Sequence, residues 1–206
     1  MAATIIGVYG GTFDPIHLGH LAVAEEVREV AGIDQVLFVP NRQQPLKSEG
    51  PWASAAQRLR MVHAAIAGNA GFAVSDIELR QDGPSYTIDT LDALRRERPD
   101  VVLRFIMGTD AANGLASWRS PRRILDEYRP IVMARAGWAA PDWAALETVH
   151  PEARSLVQLL DVPLLAISSR DVRTRLAAGR SARYLIPDAV RLIIEEEGIY
   201  GAHTAP

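Results

Sequence analysis

The chain has 206 residues, with 22 Lys and Arg against 25 Asp and Glu, a formal net charge of −3. Apolar residues make up 48% and charged residues 23%, which excludes wholesale disorder and leaves enough chain to bury a core. Cys is absent, so disulfides, thiolate metal sites, iron–sulfur clusters and a Cys nucleophile are excluded together. The near-even charge balance argues against a protein that coats nucleic acid. No apolar run reaches the roughly 18 residues of a membrane span, and the chain enters strand-like sequence without a basic, then apolar, leader. The expectation is a cytoplasmic protein with no nucleic-acid and no membrane partner.

Thr4 to Tyr9 is a β-branched apolar run closed by Gly10-Gly11, a buried strand ending in a tight turn where paired glycines allow φ > 0. From Leu18 to about Val30, Leu21, Val23, Ala24, Val27 and Val30 form a helical stripe, with Gly32 as the stop. Gln35 to Val39 is a second strand ended by Pro40, which completes a βαβ unit with parallel strands. Asn41 to Trp52 reads as a polar loop, and Ser54 caps a helix running to about Ala67. Phe72 to Leu79 reads as extended, Asp82-Gly83-Pro84 as a turn, and a helix starts at Ser85 or Thr87. Val101 to Met107 is the clearest central strand, ending at Gly108. Short helices near Ala111 and Ile124-Leu125, a strand over 130–134, a helix over 139–146 and an extended stretch over 156–160 follow. Helices over 168–178 and 187–197 end the chain. The alternation predicts an α/β fold: a Rossmann-like, doubly wound, mostly parallel sheet with helices on both faces. One domain over residues 1–206 is expected, with a small helical part from about 168. Ligands on such sheets bind beyond the carboxyl ends of the strands, where strand order reverses, so Gly10, Gly108 and, more weakly, Gly137 mark where to look.

The loop from Gly10 to His20 carries the most chemistry. A glycine pair after a strand lets a ligand approach the backbone, and the next helix offers unpaired N–H groups to the same space, which suits phosphate. His17 and His20, three apart, share a face if the helix starts near His17, with Gly19 keeping that turn free of bulk. Two imidazoles there can donate to a phosphoryl group as charge builds in a transition state. A Walker loop would need Gly-Lys-Ser/Thr, and a dinucleotide fingerprint Gly-x-Gly-x-x-Gly; neither occurs. A zinc pair would be half filled.

Gly10-Gly11-Thr12-Phe13-Asp14-Pro15-Ile16-His17-Leu18-Gly19-His20 resembles the signature of the nucleotidyltransferase superfamily that carries His-x-Gly-His, and within it the bacterial nicotinate-nucleotide adenylyltransferase family. The resemblance runs from Gly10 to about Tyr200. It implies adenylyl transfer from ATP, with Mg²⁺, to nicotinate mononucleotide, giving the dinucleotide and pyrophosphate, with no direct protein ligand to the metal. Gly10, Gly11, Thr12, Phe13, His17 and His20 are the implied ATP loop. Ile167-Ser168-Ser169-Arg170-Asp171-Val172-Arg173 resembles the family's Ile-Ser-Ser-Thr-x-Ile-Arg, which puts Ile167, Ser168 and Arg173 on the ATP phosphates, with Arg170 where the family usually has Thr. Gly108 and Asp110 are implied at the ATP ribose. Tyr86, Thr87 and Trp118 are implied around the pyridine ring and its carboxylate, and Arg135 at the mononucleotide phosphate. His17, His20, Arg173 and Lys47 form the implied catalytic set, with Arg58 and Met61 at the family's spacing beyond Lys47. A superfamily enzyme with another acceptor (nicotinamide mononucleotide or pantetheine phosphate) and a non-catalytic nucleotide-binding module stay open, as does a homo-oligomer.

Overall fold

Alternating burial along the strands builds the architecture. In β2 (Gln35–Pro40), Val36 and Phe38 point to one side while Leu37 and Val39 point to the other, and all four are buried. Both faces of the sheet are therefore covered, as parallel sheets require. The structure, a computed structural model, describes residues 3–42, 50–80, 83–135, 140–163 and 165–201, and for Arg135 the backbone alone. β1 (Thr4–Gly11), β2, β3 (Phe72–Val74), β4 (Val101–Gly108), β5 (Ile131–Arg135) and β6 (Gln158–Val162) form one sheet in the order β3-β2-β1-β4-β5-β6. Every pairing is parallel. That is a doubly wound, parallel sheet as predicted, and its strand order reverses between β1 and β4.

One face packs against α1 (Leu18–Val30), α2 (Ala55–Ile66), α8 (Ser169–Ala177) and α9 (Asp188–Glu196), through Val27, Met61, Val172 and Val190. The other packs against α3 (Thr87–Glu97) and α5 (Pro121–Tyr128), through Leu91, Leu94, Ile124 and Leu125. Short helices α4 (Thr109–Asn113), α6 (Trp143–Val149) and α7 (Ala153–Leu156) complete that side. Among the described residues no helix is long and apolar enough to cross a membrane.

Three expectations need correction. The extended stretch from Phe72 stops at Val74, because Ser75 Oγ accepts from the Ile77 amide and the amides of Leu79 and Arg80 fold back onto the Asp76 carbonyl. Polar side chains competing for local backbone end the strand. α6 starts at Trp143 rather than 139, where the Asp142 carboxylate caps the Ala145 amide. The stretch expected to be extended from Leu156 instead starts with the end of α7, and β6 begins at Gln158. Gly137, Ala139 and Asp82 lie outside the described residues.

Candidate active site

β1 and β4 end side by side at the reversal point, and two cavities open there, of about 400 and 370 Å³. They share Tyr9, Gly108 and Met133 in their walls.

The second cavity collects His17, His20, Gly108, Asp110, Ile167 and Ser168, residues separated by up to 151 positions in sequence. His17 is the N-cap of α1: its Nδ1 accepts from the His20 amide at 3.3 Å, and His20 Nδ1 accepts from the His17 amide at 3.2 Å. The rings stack with centroids 3.6 Å apart. With both Nδ1 atoms acting as acceptors, each neutral imidazole carries its proton on Nε2, a tautomer assigned from these partners. The reciprocal cap therefore fixes two N–H donors at the helix start. Gly19 makes room for this: a Cβ there would sit 3.0 Å from His17 Nδ1 and 3.1 Å from its Cε1.

The glycine pair works differently from the expectation. Gly10 and Gly11 lie within β1, and neither has positive φ; the left-handed residue is Phe13, at φ 47°. A Cβ on Gly11 would meet the Phe13 ring at 2.8 Å, whereas one on Gly10 or Gly108 would meet nothing within 4 Å and would project into open space. Gly10, Gly11 and Thr12 line the first cavity, not the second. Phe13 is buried, with its ring edge-on to His20 at 5.2 Å. It supports the imidazole rather than offering a side chain to a ligand.

Ser168 caps α8: its Oγ accepts from the Asp171 amide at 3.1 Å and donates to the Asp171 carboxylate at 2.7 Å. Ser169 Oγ donates to the Pro15 carbonyl at 2.9 Å, and Arg173 Nη1 donates to the Asp14 carbonyl at 2.7 Å. Two consecutive carbonyls of the first loop thus dock α8 beside the imidazoles. The Arg173 guanidinium also lies 5.6 Å from the centre of the Trp52 ring, and it is not part of either cavity wall. Arg170 is exposed on the first turn of α8.

Sequence reasoning missed the residue that ties these parts together. Asp14 is buried, and its carboxylate accepts from the amides of Trp52 (2.8 Å) and Ala53 (3.0 Å) and from the Tyr200 hydroxyl (2.6 Å). Arg58, also buried, donates from Nη1 to the Thr12 carbonyl at 2.8 Å. The Asp-Pro inside the first loop was a local signal for Asp14. Nothing local pointed to Tyr200, because its partner lies 186 positions away.

The first cavity brings together Tyr86, Thr87 and Trp118, as expected, with Asn41, Glu78 and Ser85. Thr87 opens α3, whose N-cap Tyr86 makes no side-chain cap bond. Trp118 is half-buried, with its ring edge against Phe105 at 6.1 Å. At the rim, Arg119 stacks over Tyr86 at 5.2 Å and pairs with Asp89 at 2.8 Å. An aromatic wall next to a helix amino end suits a flat ring bearing an anionic group. Lys47 and the Arg135 side chain lie outside the described residues.

The cytidylyltransferase-like family profile matches residues 8–175. A probable nicotinate-nucleotide adenylyltransferase from a Roseiflexus species is 46% identical over 200 residues, covering 97% of this chain and all of that protein. One from Herpetosiphon aurantiacus is 41% identical over 195 residues, covering 95% and 98%. Among solved structures, Plasmodium falciparum nicotinic acid mononucleotide adenylyltransferase complexed with NaAD superposes with a TM-score of 0.77 at 22% identity, covering 96% of this chain and 98% of that one. The structural match carries the fold, and the sequence relatives carry the kinship.

Proposed function

Since the chain belongs to the cytidylyltransferase-like family and, within it, to the nicotinate-nucleotide adenylyltransferases, we propose that it joins nicotinate mononucleotide to the AMP portion of ATP in NAD biosynthesis. The observation that carries this reading is the pair of cavities meeting at Tyr9, Gly108 and Met133. One offers imidazole donors and a serine-capped helix start to a triphosphate, and the other an aromatic wall and a helix amino end to a pyridine carboxylate.

A phosphate oxygen of the mononucleotide attacks the α-phosphorus of ATP in line. A new P–O bond forms as the bond to the β-phosphate oxygen breaks, and pyrophosphate leaves. The work of the protein is positioning and charge stabilisation. His20 and His17 donate from Nε2 to phosphoryl oxygens as negative charge grows. Ser168 and the start of α8 receive the phosphates, with Arg173 held alongside by the Asp14 carbonyl. Asp110 accepts from ribose hydroxyls, while Ile167, Gly108 and the backbone of the first loop frame the nucleotide. Lys47 and Arg135 are assigned to phosphate by family resemblance.

Among the described residues Asp110 is the one carboxylate in the second cavity's wall, and no group of three His, Cys, Asp or Glu could hold an ion. That donor set fits Mg²⁺ carried on the triphosphate with its own waters. When bound, the ion neutralises the leaving pyrophosphate.

The test is incubation with ATP and Mg²⁺ plus nicotinate mononucleotide, nicotinamide mononucleotide or pantetheine phosphate, reading pyrophosphate and the adenylylated product. Release with the nicotinate substrate foremost is expected. Release only with pantetheine phosphate assigns a different acceptor, and ATP binding without release in every arm overturns catalysis.

A further inference from the structure

Glu78 occupies the turn that follows β3 and lines the first cavity with Ser85, Thr87 and Thr90. It is only 7% exposed. Its Oε1 accepts from Thr90 Oγ1, on the first turn of α3, at 2.8 Å. Its Oε2 is buried with no hydrogen-bond partner among the described residues. The groups facing it are few: the hydroxyls of Thr90 and Ser85 on the α3 side, and the Arg58 guanidinium from α2. Arg58 is committed to the Thr12 carbonyl through Nη1. Asp89, the acid in the first turn of α3, is engaged by Arg119 at the rim.

A buried carboxylate with one oxygen left without a hydrogen bond is costly as an anion and much less so as an acid. Burial drives the Glu78 carboxyl above the usual carboxylate range, against the smaller opposing pulls of Thr90, Ser85 and Arg58. The same wall supplies Thr87 at the amino end of α3, where an anionic ring substituent is to be received. Two like charges would then share one cavity.

We propose that Glu78 is a proton-dependent specificity determinant: in its neutral form it lets the amino end of α3 accept an anionic substituent on the pyridine ring, and in its ionised form it repels that anion. This rests on the nicotinate-nucleotide reading of the first cavity. Glu78 acts as a positioning and electrostatic residue, without touching the reacting phosphates.

The experiment measures KM for nicotinate and nicotinamide mononucleotide with the wild-type protein at intervals over the whole pH range in which it stays folded. Both substrates carry the same phosphate, so its ionisation cancels in the ratio of the two KM values. The ratio of KM for the acid to KM for the amide is expected to rise several-fold as Glu78 ionises, because two like charges then share one cavity. Glu78→Gln should hold the ratio low and flat. Thr90→Val, which removes a donor that favours the ionised form, should move the midpoint to higher pH. Calorimetry in two buffers of different ionisation enthalpy should show more proton uptake for the acid than for the amide. A flat wild-type ratio, a Glu78→Gln profile that still rises, or equal proton uptake overturns the proposal. Turnover with nicotinate mononucleotide at any pH upholds the activity itself, so the two readings fail separately. If Glu78→Gln does not fold, the Thr90→Val midpoint and the calorimetry still decide.

Discussion

His17 and His20 each use Nδ1 to accept from the other's backbone amide, so the two rings that form the capping device also carry the Nε2–H groups proposed as phosphoryl donors. Removing one donor of this kind typically costs about 2.7–4 kcal/mol of barrier. His20→Ala is therefore expected to lower kcat by roughly 10²–10³-fold, with circular dichroism unchanged; near-normal turnover would remove His20 from the mechanism. Gly19→Ala separates activity from stability. The new methyl must push the His17 ring by a few tenths of an ångström, and small misplacements of catalytic groups are costly. Yet alanine is the better helix former by about 1 kcal/mol. The expected outcome is a kcat reduced about tenfold with a melting temperature equal to or above that of the parent. The imidazoles were legible from spacing alone. Glu78 was not, because its burial follows from a turn that sequence periodicity presented as strand.

At the scale of elements, α3 and α5 are fastened through Asp92 as well as through the Arg95–Glu127 pair. Asp92 accepts from both Arg123 Nη atoms at 3.0 Å and from the Tyr128 hydroxyl at 2.6 Å, and Arg95 lies over the Tyr128 ring at 4.3 Å. The Arg123 hydrogen bonds hold the Asp92 carboxyl below its usual range, despite partial burial. A carboxyl depressed in the folded state contributes its full stability above its unfolded pKa, about 3.9, and loses it as pH falls through the lower folded value. Asp92→Asn is expected to cost about 1–2 kcal/mol at pH 7, discounted for the partly exposed setting. In urea titrations the gap from wild type should narrow as pH falls below about 4. A gap that stays constant with pH would show that the charge contributes nothing. The two helices were legible from the start at Ser85 or Thr87 and from the apolar pair Ile124-Leu125, but a bond between positions 92 and 123 is set by how α3 and α5 cross the same sheet face.

Over the whole molecule, the last described turn, Ile199–Gly201, closes on the first loop. Tyr200, buried and left-handed at φ 62°, gives its hydroxyl to Asp14, whose carbonyl holds Arg173 and whose carboxylate holds the amides of residues 52 and 53. Four distant segments meet at one residue, Asp14. Tyr200→Phe leaves a buried oxygen short of a donor, at about 1–2 kcal/mol. That corresponds to a fall in melting temperature of about 2–8 °C for a chain of this size. KM for ATP should rise with it, since the anchor of Arg173 loosens. An unchanged melting temperature would show that the hydroxyl contributes nothing.

Local pattern was enough to specify the strand–helix alternation, the parallel sheet, the helix that starts beside His17 and His20, and the helix that begins near Ser168, because periodicity, caps and turn chemistry act over a few residues. It did not specify that Gly10 to Thr12 would line the first cavity, that Phe13 would pack edge-on against His20, or that Asp14, Arg58 and Glu78 would be buried polar groups. Those outcomes depend on which strand ends meet at the reversal of the sheet and on which surfaces exclude water. Burial and long-range pairing exist only once the sheet and its two helical layers have closed around one another.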